Sequence, residues 1–141
     1  MLLANAVDFT NRVQQELARA QRYCLYLSLL IVKLPEDHSK SAEHPRRYRN
    51  LLASLNSVLR SSDLVVSAKG DQLAVLLVET PSGGMSVVSE RIKGFVRDYL
   101  AGESQGNRPE RIDVSSAVYP DATTDFGALL QSLSQRHQSV N

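Results

Sequence analysis

The chain has almost no cysteine. Of 141 residues only Cys24 carries a thiol, so no internal disulfide framework is possible. A lone free cysteine fits a reducing compartment, and a cytoplasmic location is expected. No charge of one sign accumulates. Lys plus Arg is 16 and Asp plus Glu is 15, a formal net charge of +1. That balance supplies no general attraction to nucleic acid or to an anionic membrane. Long hydrophobic runs are missing as well. The longest, residues 25–34, contains Ser28 and Lys33 and is too short to span a bilayer. The opening Met-Leu-Leu-Ala-Asn-Ala has neither a basic region nor a sustained apolar run, so no signal peptide is expected. No internal repeat, heptad pattern, G-x-S-x-G, Cys–His pair or Walker motif occurs.

What is present is an ordinary globular composition, 43% hydrophobic and 22% charged, in a length that makes one domain over residues 1–141. Phe9, Val13, Leu17 and Ala20 follow one another at steps of four, four and three, which predicts an amphipathic helix over residues 7–23 with Asn5 as its N-cap. Residues 25–34 are apolar at nearly every position and read as a strand covered on both faces. Pro45 suits a first helical turn, and Tyr48, Leu51, Leu52, Leu55, Val58 and Leu59 recur at helical period. Residues 64–68 read as a short strand, Lys69-Gly70-Asp71 as a tight turn, and residues 73–78 as a second continuously apolar strand. Thr80-Pro81-Ser82-Gly83-Gly84 breaks the chain. A helix then carries Met85, Val88, Ile92, Phe95 and Tyr99 on one face. Residues 112–118 alternate as an edge strand does, and Thr124 caps a last helix bearing Phe126, Leu129, Leu130 and Leu133. The order strand, helix, strand, strand, helix, strand is the β-α-β-β-α-β pattern of ferredoxin-like α+β folds, here with an extra helix at each end. The two most apolar strands are the first and third, which that fold places in the middle of its sheet.

The order, and one stretch above all, resembles the GGDEF (diguanylate cyclase) family in degenerate form. Residues 60–80 run Arg60-Ser-Ser-Asp63, a five-residue spacer, Lys69-Gly70-Asp71-Gln72-Leu73 and an apolar strand ending at Glu79-Thr80. They follow the family's R-x-x-D, spacer and GG(D/E)EF hairpin without a gap. The opening helix, the first strand and Ser89-Glu90-Arg91-Ile92 continue the likeness. The resemblance implies a bacterial signalling domain built on a family that condenses two GTP into cyclic di-GMP.

That chemistry uses carboxylates to hold divalent cations at the triphosphate. The first-strand position that bears the family's metal-binding aspartate is Val32 here, and valine has no donor atom. Asp71 keeps the hairpin carboxylate, but Lys69 replaces the first glycine, Gln72 the acidic fourth residue and Leu73 the phenylalanine. The guanine-reading Asn and Gly-His signature is absent from residues 36–50. No cyclase activity, no catalytic residue and no bound Mg²⁺ are therefore expected. Glu36 and Asp37, past the first strand, lack the partner spacing to replace a metal ligand.

The family's product-binding inhibitory site is retained in register as Arg60, Asp63 and Arg91. Arginine forks clamp phosphate or the O6/N7 edge of guanine, and a carboxylate accepts from the N1–H and N2–H₂ edge. The expected ligand is cyclic di-GMP, with a protein partner or a second copy receiving the signal. The plainer alternative is that Arg60 and Asp63 pair only with each other, on a ligand-free interaction or dimerisation module. Weaker groupings are Glu36-Asp37-His38 with Glu43-His44 as metal donors, Pro81 to Gly84 as an anion-binding turn, and Arg46-Arg47-x-Arg49 as a basic patch. Each reads more simply as a solvated loop, a helix cap or a solvated face. RNA recognition on such a sheet needs exposed aromatics on the central strands, and residues 73–78 have none.

Overall fold

The computed structural model describes residues 6–34, 44–68, 72–103, 112–120 and 126–131. The element order is α1 (Ala6–Tyr23), β1 (Leu27–Lys33), α2 (His44–Leu55), a 3-10 turn (Asn56–Val58), β2 (Leu64–Ala68), β3 (Gln72–Val78), α3 (Ser82–Glu103) and β4 (Asp113–Tyr119). Residues 126–131 are also helical. The four strands form one antiparallel sheet in the order β2-β3-β1-β4. The expected α+β, ferredoxin-like arrangement is thus the observed one, with the first and third strands central.

Their composition explains why. A central strand loses both faces to packing, so both must be apolar. Every residue of β3 is buried, and so is every residue of β1 except Lys33. Alternation divides these side chains between two cores. Leu27, Leu29, Ile31, Leu64, Val66, Leu76 and Val78 face α1 (Phe9, Val13, Ala20) together with Phe126 and Leu130. Leu30, Val32, Leu34, Val65, Leu73, Val75 and Leu77 face α2 (Leu51, Leu52, Leu55) and α3 (Ile92, Val96). A one-residue slip of register would exchange the two sets, so the pairing is strongly specified.

Boundaries differ from the sequence reading where local bonding outweighs periodicity. The second helix does not run on through Val58 as an α-helix. It tightens into the 3-10 turn at Asn56, and the Leu59 amide donates to Asn56 O at 3.3 Å. The first strand starts at Leu27 rather than residue 25, because α1 ends in a Schellman-type cap. The Leu25 amide donates to Ala20 O at 3.0 Å, and Cys24 adopts φ 56°. Glycine normally fills that left-handed position, since a Cβ there costs roughly 1–2 kcal/mol. Cys24 is exposed. Cys24→Gly is therefore expected to stabilise the fold by about 1 kcal/mol, read as a melting point a few degrees higher in reducing buffer. The proposed caps Asn5 and Thr124, the hairpin residues Lys69, Gly70 and Asp71, and the loop donors Glu36, Asp37, His38 and Glu43 lie outside the described residues. No described helix is long and apolar enough to cross a membrane.

Candidate functional site

The Arg60-x-x-Asp63 segment lies at the sheet end where β1 and β2 begin and β3 finishes. Arg60 follows the 3-10 turn and Asp63 directly precedes β2. The turn between them is closed by the Asp63 amide, which donates to Arg60 O at 3.0 Å. The Asp63 side chain then reaches back and inward. Its Oδ2 accepts from the Arg60 amide at 3.1 Å, and its Oδ1 accepts from the Val78 amide at 3.2 Å. The Arg60 guanidinium lies along the same carboxylate, Nε donating to Oδ2 at 3.3 Å and Nη2 to Oδ1 at 3.2 Å. Burial is lopsided: the Asp63 side chain is 3% exposed and that of Arg60 57%. The acid is fixed from inside while the base keeps an outer edge in solvent.

Nη2 is held further. Its second N–H is shared between Val78 O at 2.6 Å and Thr80 Oγ1 at 2.7 Å. Thr80, itself buried, donates its hydroxyl to Val78 O at 3.0 Å. The left-handed Glu79 (φ 53°) ends β3 between these two residues, and so Val78 O and Thr80 Oγ1 converge on one guanidinium nitrogen. Thr80 is also tied to the start of β1. Its amide donates to Tyr26 O at 3.2 Å, and Ser28 Oγ donates to Thr80 O at 2.7 Å. One arginine thus closes a lattice joining the starts of β1 and β2 to the end of β3. On the α1 side of the same turn, Glu79 pairs with Arg19 at 3.2 Å, and this bond raises the Arg19 pKa.

The structure therefore brings Arg60 and Asp63 together. Arg91 is exposed on α3, which shares a sheet face with α2, and takes no part in the Arg60–Asp63 bonds. Gln72 and Leu73, at the start of β3, are both buried, Gln72 opposite Lys33 and Ala68 and Leu73 opposite Val32. Val32 is completely buried, in the apolar core between the sheet, α2 and α3. A divalent cation needs oxygen donors there, and the side chain present is hydrocarbon. Among the described residues no three His, Cys, Asp or Glu side chains gather into a metal-holding group.

Two contributors escaped the sequence reading. Ser28 registered only as an interruption of an apolar run, and Thr80 only as the edge of a chain break. The signal available for both was a small hydroxyl residue at a strand end, where edge carbonyls need donors.

Four antiparallel strands in this order, with helices on both faces, make a ferredoxin-like α+β fold. Solved structures give it closer relatives. The GGDEF domain of YfiN (TpbB) from Pseudomonas aeruginosa is 25% identical over 84% of this chain and 72% of that one, with a TM-score of 0.62. A diguanylate cyclase protein from Thermotoga maritima superposes with a TM-score of 0.71 over 94% of each chain at 17% identity. The GGDEF domain of DgcB from Caulobacter crescentus, solved in complex with cyclic di-GMP, gives 0.66 over 96% of this chain and 79% of that one at 16% identity. No protein-family model and no curated protein sequence matches the chain. By its fold the chain is a divergent GGDEF-like domain.

Proposed function

We propose that this GGDEF-like domain has no cyclase activity and serves as a receptor for cyclic di-GMP, binding it at the surface of Arg60, Asp63 and Arg91 and relaying it to a protein partner or a second copy. The observation that carries the receptor reading is the lopsided Arg60–Asp63 pair. Asp63, 3% exposed, fixes the Nε and Nη2 side of the guanidinium, while Arg60 stays 57% exposed with Nη1 outside those bonds. A guanidinium held in place loses little rotamer entropy when it meets a phosphate or a guanine edge. Asp63 then acts mainly by orienting Arg60, and Arg91 supplies a second cation from α3. The cyclic di-GMP complex of the DgcB domain, which shares this fold, makes that dinucleotide the first ligand to test.

The inactive reading rests on Val32. With apolar side chains closing that position, Mg²⁺ has no carboxylate on β1 to hold it at a triphosphate, and metal-assisted charge stabilisation is worth several kcal/mol. GTP incubated with the protein and Mg²⁺ or Mn²⁺ is expected to remain unconverted; cyclic di-GMP in the products refutes this half.

A second reading has its own support. Nη2 of Arg60 already meets three internal acceptors, which suits a purely structural staple on a ligand-free interaction module. Calorimetry separates the two. Cyclic di-GMP is expected to give a saturable heat with the wild type and binding weaker by about tenfold with Arg91→Ala, the loss of one charge-assisted contact. Arg91 is exposed and outside the staple, so that variant leaves the fold intact. No heat from the wild type at high micromolar ligand leaves the interaction module.

A further inference from the structure

Thr80 stands out among the groups at this sheet end. It is a buried hydroxyl residue that touches the guanidinium, and the ion pair alone gives no reason for it. We infer that Thr80 is a positioning residue: its hydroxyl sets the plane of the Arg60 guanidinium, so that the outer edge faces an anionic or guanine-bearing ligand. This rests on the receptor reading above and adds a determinant outside its three residues.

The geometry is specific. A carboxylate gripping Nε and Nη2 fixes one edge of the fork but leaves it able to rock about that edge. Thr80 Oγ1, 2.7 Å from Nη2, and Val78 O, 2.6 Å from the same nitrogen, supply a second direction of restraint. The Thr80 hydroxyl spends its own proton on Val78 O at 3.0 Å, so its lone pairs are directed at the arginine. Thr80 is itself immobilised through Tyr26 O, just before β1, and Ser28 Oγ on β1. The orientation of an exposed cation is thereby set by the backbone of two central strands. Hydrogen-bond acceptors aligned in advance on a charged donor reduce the ordering cost of binding.

Pro81 follows Thr80, and α3, the helix that bears Arg91, begins at Ser82.

Thr80→Val keeps the shape and removes the hydroxyl; Thr80→Ser keeps the hydroxyl. Cyclic di-GMP affinity, measured by calorimetry, is expected to fall about tenfold in Thr80→Val and to return to near the wild-type value in Thr80→Ser. A ligand-free readout accompanies it. In ¹⁵N spectra of the guanidinium groups, the two Nη environments of Arg60 are expected to be resolved in the wild type and in Thr80→Ser, and to exchange measurably faster in Thr80→Val, where the Asp63 and Val78 bonds alone remain. Equal or tighter binding by Thr80→Val, or an unchanged Arg60 spectrum, overturns the inference. If the wild type binds no cyclic di-GMP, the receptor reading falls, and the Arg60 spectrum alone then decides whether Thr80 holds the guanidinium.

Discussion

Val32→Asp is expected to abolish the folded state rather than restore a metal site. Val32 has no exposed surface and sits in one apolar core with Leu30, Leu34, Leu55 and Leu73. An ionised carboxylate placed there has neither a cation nor a donor shell, and the effective penalty for burying an unpaired charge is several kcal/mol. Domains of this size are stable by only about 5–15 kcal/mol, so the variant is expected to be insoluble or to melt near ambient temperature. Val32→Ala, which leaves a small cavity but no charge, is expected to lose about 2 kcal/mol and stay folded. Circular dichroism melts of the two variants beside the wild type check the order. A Val32→Asp protein with native stability that turns over GTP would show that the position opens to solvent and metal, against the packing described.

The second large effect is expected at Asp63. Asp63→Ala removes the acceptor for the Arg60 and Val78 amides and strips the guanidinium of its acid. Buried donors left without partners cost roughly 1–3 kcal/mol each, with partial relief from water at the turn. A total near 3 kcal/mol corresponds to a fall in melting temperature on the order of 10 °C. Arg60→Ala is expected to cost less, because the carboxylate keeps both backbone donors and the guanidinium removed was 57% exposed. Thermal melts in which Arg60→Ala loses as much as Asp63→Ala would contradict the asymmetry on which the receptor reading rests.

Much of the fold was legible because its signals are collective. The nearly continuous apolar run at residues 25–34 and the continuous one at 73–78 have one low-energy use, as the two central strands of a covered sheet, and they supply those strands. The edge positions of β2 and β4 followed from brevity and from alternation. What escaped was local. The shift from α-helix to 3-10 turn at Asn56 and the left-handed caps at Cys24 and Glu79 depend on a few backbone bonds that leave no periodic trace. The site divides in the same way. Spacing within R-x-x-D put Arg60 and Asp63 in one turn, as found. Spacing cannot say which of the two is buried, because that depends on whether the carboxylate finds donors on a strand 15 residues away, and the Val78 amide provides one. Thr80 and Ser28 were invisible for the same reason. Their partners are carbonyl oxygens, which every residue has.

The most direct trial is an amide chemical-shift titration of the ¹⁵N-labelled wild type with cyclic di-GMP. Saturable shifts gathered at Arg60, Asp63, Val78, Thr80 and Arg91, with the Val32 amide unmoved, are the predicted result. A spectrum that does not change, or changes concentrated around Val32 and the start of β3, would contradict it.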